Sequence, residues 1–329
     1  MLAASYNHVG PALEVLSFGE IETPSAAAGE VRVKLASSGV NPSDVKSRAG
    51  VRNKTLPFPL IVPHSDGAGV IDQVGSGVDP ARLGERVWVW NAAWRRPMGT
   101  AAQYVALPAQ QAVTLPEAID FYAGACLGIP ALTAYHAVAL NGGVSGKSVL
   151  VTGGAGAVGH YAVQFAKLGG AERVVATVSS DVKGAIAIAA GAHAFVNYKT
   201  EDVGQRCFAL TDGRGVDRII EMDLAANIQP DLAALRNDGE IVVYGSGTPE
   251  IAVPFFASIL KNARYHFFIV YNLNAVDRAS ALAGVSRLLK ENALKHQIAA
   301  RLPLSKAAEA HQLVESGTAV GNVVLDIAG

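Results

Sequence analysis

The sequence predicts an α/β protein in which a doubly wound parallel sheet is inserted in a discontinuous, mostly β domain. Three observations predict it. Residues 1–118 are rich in valine, glycine and proline and read as short alternating strands. From 119 to 265 strands and helical stretches take turns, which implies parallel βαβ units. From 266 to 329 strand-like runs return around helices and complete the two-domain unit.

In the first part, "EVRVKLASSGVN" and "AGVIDQVGSGV" alternate like half-buried strands, and "LGERVWVW" continues the series. Turn signals at Pro24, Gly39, Pro63 and Gly75-Ser76-Gly77 separate them, as in a small β-barrel or coiled sheet. In the second part, "FYAGACLGIPALTAYHAVAL" reads as helix apart from Pro130. The strands "SVLVTGG", "AERVVATVSS", "AHAFVNY", "VDRIIEMD" and "GEIVVYGSG" follow. The third part offers strand-like "FFIVYN", one long helix, and the pair "IAARLPL" and "NVVLDIAG" around a helix.

Composition narrows the function classes. A chain of 329 residues suits two domains, and 50% hydrophobic with 17% charged residues argues for a large core and against global disorder. The net charge of −1, with no Lys/Arg block, argues against a nucleic-acid surface or a polybasic membrane anchor. Cys126 and Cys207 are the only cysteines and form no C-x-x-C pair, so neither a disulfide scaffold nor a thiolate-rich zinc site is expected. No signal-like segment and no run of eighteen apolar residues is seen, so a cytoplasmic protein is expected.

"VLVTGGAGAVGHYAVQFAKLGG" carries the chemistry. The apolar strand Val149-Leu150-Val151 runs into Gly154-Ala155-Gly156-Ala157-Val158-Gly159, which fits G-x-G-x-x-G, and an apolar helical face follows until Gly169-Gly170. Glycine lets the backbone approach a pyrophosphate, and the N–H groups at the helix start favour the anion. A bare Gly-rich turn is the bland alternative; its place between strand and helix favours a dinucleotide. An NAD-preferring strand would end in an acid for the ribose 2′-OH about twenty residues on. Here it ends in Val178-Ser179-Ser180, with Lys183 one turn later. Hydroxyls and an ammonium suit a 2′-phosphate, so NADPH is expected, Tyr198 flanking the same phosphate from the next strand.

Taken in order, "SGVNPSDVKSRAG", "PHSDGAGVIDQVGSGV", "GERVW", "GTAAQYV", "LTAYHAV" and "VLVTGGAGAVGH" resemble the medium-chain dehydrogenase/reductase superfamily. Within it the chain is similar to the zinc-free quinone oxidoreductases, the zeta-crystallin group. That resemblance covers nearly the whole length. It implies a Rossmann domain inserted in a GroES-like β-barrel domain, NADPH as hydride donor, and a homo-oligomer, dimer or tetramer. Zinc-dependent members place metal ligands where this chain has Asn41, Ser65 and Ile129; His64 is one position out of register. Amide, hydroxyl and alkyl groups do not hold Zn²⁺, so no metal is expected.

The resemblance also implies residue roles. Asn41 is expected at the nicotinamide and substrate, its amide holding an acceptor oxygen, with Asp44 fixing the loop and Lys46 standing where a tyrosine is common. Thr133 approaches the nicotinamide. Gly156, Ala157, Val158, Gly159 and His160 meet the pyrophosphate; Ser179, Lys183 and Tyr198 meet the 2′-phosphate. Asn227 closes over the cofactor, and Tyr244, Gly245, Ser246, Gly247, Phe268, Ile269 and Val270 hold the nicotinamide end. Asn322 replaces a basic residue, which puts a cofactor contact there in doubt. No catalytic acid or base is assigned. Without a Lewis acid, an electrophilic conjugated carbonyl is the natural hydride acceptor. A quinone fits this; an enone or enal reduced at carbon is the alternative, and a zeta-crystallin-like binding or structural role is a third reading.

Overall fold

Alternation in "EVRVKLASSGV" becomes the strand Glu30–Val40, whose Val31, Val33 and Leu35 are buried while Arg32 and Lys34 stay in contact with solvent. The computed structural model describes residues 1–51 and 54–327. One edge of this long strand pairs antiparallel with Asp66–Val74. Its other edge is shared, the first half taken by Tyr104–Pro108 and the second by Asn322–Asp326. Arg86–Val89 and Ala112–Thr114 extend the sheet on one side, and Ile298–Pro303 pairs parallel with Asn322–Asp326 on the other. The C-terminal segment thereby completes the β unit, which comprises residues 1–130 and 286–329. Ala328 and Gly329, which end "NVVLDIAG", lie outside the described residues.

The second unit, 131–285, is a six-stranded parallel sheet. Across the sheet its strands run Ala194–Asn197, Arg173–Val178, Ser148–Val151, Val216–Glu221, Leu235–Val243 and Arg264–Phe267. Numbered along the unit, this is the 3-2-1-4-5-6 order of a dinucleotide-binding sheet, whose ligand crevice opens where the order reverses, beside the first strand. Both faces are covered, and Val149, Leu150 and Val151 are fully buried. Among the described residues, no helix is long and apolar enough to cross a membrane.

Three sequence expectations change. The units divide at 130/131 and 285/286 rather than at 118 and 265. "FFIVYN" is not a strand of the third part: the strand is Arg264–Phe267, a parallel edge strand of the second unit, and Val270–Asn272 is a 3₁₀ turn. The helix around Pro130 is not broken there. It widens into a π-helical turn, Leu127–Ala131, which absorbs the missing N–H before Leu132–Ala139 resumes the α-helix.

The charge inside "VDRIIE" has a structural use. Arg218 is fully buried on the parallel sheet and donates to Glu240 Oε1 from Nε at 2.9 Å. It also donates to the carbonyls of Val138 and Leu140, both at 2.7 Å, which end the Leu132–Ala139 helix. A helix C-terminus that would otherwise bury bare carbonyls is capped by a side chain from the sheet.

Candidate cofactor cradle and acceptor site

The cradle lies in the second unit. After Ser148–Val151 the chain turns and enters the helix Ala157–Leu168, with Gly156 as its N-cap. The first bond back along the helix is His160 N–H to Gly156 O, 2.9 Å, so the N–H groups of Ala157, Val158 and Gly159 precede the ladder. The glycines divide their labour. A Cβ on Gly159 would stand 2.2 Å from Gly153 O, and one on Gly154 2.5 Å from Ala176 Cβ, so these two pack turn, helix and neighbouring strand together. A Cβ on Gly156 would meet only Gly153 O at 3.2 Å. Gly156 is thus the glycine whose open face can admit a pyrophosphate, and the cradle fits that group.

His160, the next residue, differs from the three before it. Its N–H is spent on Gly156, and its ring is buried beside Gln164, whose Nε2 lies 3.1 Å from His160 Nδ1. The first N–H of a helical ladder is not an orphan, which the glycine spacing alone does not reveal.

The adjacent strand tips bring together the residues expected at a 2′-phosphate. Val178 and Asn197 are register partners, so Ser179 and Tyr198 follow at neighbouring strand ends. Tyr198 is exposed and its N–H donates to Val178 O at 3.1 Å. Ser180 caps the Asp181–Ala190 helix, accepting from Lys183 N at 3.4 Å, so its hydroxyl is partly spent on the backbone. Asn197 and Asp181, which sequence reasoning did not place here, stand at the same tips.

At the far side of the switch point, Glu221 ends its strand. Its Oε1 accepts from the backbone N–H of Asp223 and from Asn227 Nδ2, the latter at 3.0 Å. The Asn227 amide nitrogen is thereby held at the Glu221 strand end. Burial raises the pKa of Glu221 and, more strongly, of Asp231, which shares a hydrogen bond with it and whose ionisation the neighbouring carboxylate further opposes. Tyr244 N–H donates to Glu221 O at 3.1 Å, and Gly247 N–H to Asp223 Oδ1 at 2.7 Å, so 244–247 is held against the same strand end. Ser246 Oγ donates within this turn, to Thr248 O. Phe268 N–H donates to Val243 O, and the Phe268 ring meets His136 edge-on at 4.6 Å. Thr133 is buried one turn before His136 on the same helix. Ile269 is exposed and Val270 buried, its carbonyl taken by Arg278.

The acceptor site expected from Asn41 lies in the first unit. Asn41 follows the strand Glu30–Val40 and caps the helix Pro42–Arg48, its N–H donating to Asp44 Oδ2 at 2.9 Å. Its side-chain Nδ2 donates to Asp66 Oδ2 at 2.9 Å, and Ile129 N–H donates to the same oxygen at 3.0 Å. Two of the three positions read as absent zinc ligands thus converge on one carboxylate. Asp66 is fully buried, and its Oδ1 has no hydrogen-bond partner; a Cβ on Gly128 would stand 2.3 Å from it. Burial raises the Asp66 pKa well above the usual carboxylate range, with the Asn41 hydrogen bond opposing and the Asp44 charge adding. Lys46 is half-buried on the cap helix. The sequence shows Asp66 only inside "PHSDGAGVIDQVGSGV"; the signal was an acid opening the apolar first half of its strand, "DGAGVI".

Cys126 and Cys207 are buried and free, and burial pushes both thiols up, Cys207 to about 12, which leaves them protonated and unreactive.

Residues 157–286 match the family model described as zinc-binding dehydrogenase, and residues 27–117 that described as alcohol dehydrogenase GroES-like domain. The chain is 31% identical to a quinone oxidoreductase of Homo sapiens over 318 residues, which covers 95% of this chain and 94% of that one. Among solved structures, an NAD-dependent alcohol dehydrogenase is 30% identical with a TM-score of 0.91, covering 100% of both chains. The Escherichia coli quinone oxidoreductase complexed with NADPH is 25% identical with a TM-score of 0.88, covering 99% of this chain and 100% of that one.

Proposed function

The chain belongs to the quinone oxidoreductase family of the medium-chain dehydrogenase/reductase superfamily, and from that membership we propose that it is an NADPH-dependent, zinc-independent oxidoreductase whose acceptor is a quinone. The observation that carries the zinc-independent reading is the Asn41–Asp66 hydrogen bond. A zinc site of the kind the family description names would need ligands at 41, 65 and 129. Those positions hold an amide already donating to Asp66, a hydroxyl and an alkyl side chain, and this set does not fit the ion. Among the described residues, no group of three or more His, Cys, Asp or Glu side chains could hold a metal.

NADPH, when bound, supplies a hydride. The residues proposed to hold it are Gly156 and the N–H groups of Ala157, Val158 and Gly159 at the pyrophosphate, with Ser179, Lys183 and Tyr198 at the 2′-phosphate. Tyr244, Gly245, Ser246, Gly247, Phe268, Ile269 and Thr133 are proposed at the nicotinamide end. An Asn amide has two N–H groups, and Asp66 takes one from Asn41. The other can donate to a carbonyl oxygen of the acceptor, orienting it and stabilising the negative charge that develops there. A quinone supports the reading because its reduction gives an aromatic product and calls for no Lewis acid.

We propose further that the working form is a homo-oligomer. The helix Phe255–Leu260 buries none of its residues, with Phe256 and Leu260 each 77% exposed, and it precedes the sheet-edge strand Arg264–Phe267. A surface of this kind favours association between copies. Light scattering at micromolar concentration tests it; a monomer would refute it.

The activity test is oxidation of NADPH by the purified protein with a panel of quinones, enones and enals, against a blank without acceptor. Turnover with quinones alone supports the proposal. Turnover with enones alone moves the assignment to double-bond reduction, and none with any acceptor refutes it.

A further inference from the structure

His64 is fully buried and sits at φ 78°, in the left-handed region that a side chain of its size rarely adopts. Its backbone carbonyl accepts from Thr100 N at 3.0 Å, and both its ring nitrogens are engaged. Nδ1 lies 2.9 Å from Ser38 Oγ; Nε2 lies 2.8 Å from Nε2 of His311, on the helix Ala307–Glu315 near the C-terminus. Ser38 Oγ in turn lies 2.7 Å from Thr100 Oγ1, which donates to the Asp66 carbonyl at 2.5 Å.

The direction of this chain follows from counting protons. A carbonyl only accepts, so the Thr100 hydroxyl proton goes to Asp66 O. Thr100 Oγ1 must then accept the Ser38 proton, and Ser38 Oγ must accept from His64 Nδ1–H. That leaves His64 Nε2 as an acceptor, and His311 Nε2–H is the donor that fills it. His311 Nδ1 is buried with no hydrogen-bond partner, consistent with a lone pair rather than a second N–H. Arg48, fully buried and held by Gly10 O and Glu315, adds a cation nearby that opposes a charge on His311.

We propose that His311 is a positioning residue for the acceptor site, acting through His64 on the loop that sets Asp66 beneath Asn41. The proposal rests on the reading of Asn41 as the acceptor contact. Without the His311 donor, His64 Nε2 is a buried acceptor with no partner, and the left-handed residue beside Asp66 loses one of its restraints. The peptide carbonyl of Asp66 is the end of the chain, so a relaxed loop shifts the carboxylate that orients the Asn41 amide. Such displacement lowers turnover of the acceptor without touching residues that bind the dinucleotide.

His311→Leu removes the donor and His311→Gln can restore it through its amide N–H. The expected result for His311→Leu is a roughly ten- to hundredfold loss in kcat/KM for the acceptor. Its Kd for NADPH stays unchanged, and His311→Gln recovers most of the loss. Nitrogen-15 histidine NMR of the wild type should show His64 protonated at Nδ1 and His311 at Nε2. Unchanged acceptor kinetics in a folded His311→Leu protein, a Gln variant no better than Leu, or the opposite tautomers would overturn the proposal. If the Leu variant does not fold, the Gln variant decides: it must keep the His64 tautomer and acceptor kinetics within a few-fold of wild type. If the wild type fails to oxidise NADPH with any of the acceptors, the functional reading fails by itself. Positioning is then read from the Asn41 side-chain amide signal, which must move in His311→Leu and return in His311→Gln; a stationary signal refutes it.

Discussion

Asn41 Nδ2 and Asp66 Oδ2 are 2.9 Å apart although 25 residues separate them, and Ile129 N–H shares the same oxygen. One carboxylate therefore satisfies two buried donors at once. Replacing it by alanine leaves both unpaired, at about 1–3 kcal/mol for each buried group. Asp66→Ala should lower kcat/KM for the acceptor at least tenfold while NADPH affinity, measured by fluorescence titration, stays within twofold. Asp66→Asn keeps an acceptor oxygen and should lose only a few-fold. Equal kinetics for wild type and Asp66→Ala would remove the carboxylate from the site.

The two glycines of the cradle should separate folding from binding. Gly159→Val puts a side chain 2.2 Å from the Gly153 carbonyl, where only backbone can yield. Loss of soluble folded protein, or a large drop in Tm, is expected. Gly156→Val meets little in the protein itself and should fold normally, yet bind NADPH much more weakly because its side chain occupies the pyrophosphate's approach. Calorimetry and thermal melts on the two variants check this; a normal NADPH Kd in Gly156→Val would show that the loop is not the cradle.

The glycine spacing, the alternating strands and the change of rhythm near 119 were legible in the sequence because each is a local pattern with one steric cause. Arg218 shows where legibility ends. A charge within "VDRIIE" announces a buried partner, but nothing local says that the partners are Glu240 and the end of the helix Leu132–Ala139. The strand Arg264–Phe267 was misplaced because "FFIVYN" is more apolar than "RYHF", whereas edge position in the sheet tolerates polar residues. His311 was invisible for the same reason at longer range. Its partner lies 247 residues away, and no periodicity carries a contact across that distance.

The histidine pair also sets an acid limb of stability. Burial lowers the His64 pKa well below its ordinary value, with the His311 charge adding; burial lowers His311 to about 3, with Arg48 adding. An unfolded histidine titrates near 6.5, so below that pH the unfolded chain takes up protons that the folded pair refuses. Stability is fully present above about pH 6.5 and falls as pH drops towards 3, by at most about 1.4 kcal/mol per pH unit for each histidine. Asp66, facing the same loop with a raised pKa, works in the opposite sense and moderates the fall. Urea unfolding at pH 7.5 and pH 5 should show the loss in wild type and a smaller one in His311→Gln. The same difference in both proteins would assign the acid limb to other groups.

On the proposed assignment, cofactor choice turns on the strand tips. Ser179 and Tyr198 stand at adjacent strand ends, and Lys183 is half-buried in the first turn of the helix that follows. Against them, Asp181 opens that helix with a negative charge, and one close structural relative is described as NAD-dependent. An ammonium on a phosphate gives a charge-assisted hydrogen bond of about 1.5–3 kcal/mol, and Asp181 already shares its carboxylate with Asn197, at 3.5 Å. Lys183 and the tip hydroxyls should therefore prevail. The 2′-phosphate is remote from the reacting carbon, so its binding contributes equally to ground and transition states and the preference should appear in affinity rather than in kcat. Lys183→Ala should raise the NADPH Kd roughly ten- to a hundredfold and leave the NADH Kd nearly unchanged. Val178→Asp should shift preference towards NADH by repelling the phosphate and offering the ribose an acceptor. If Lys183→Ala weakens both cofactors equally, or if the wild type binds them alike, Lys183 is a solvated helix residue and the phosphate is held elsewhere.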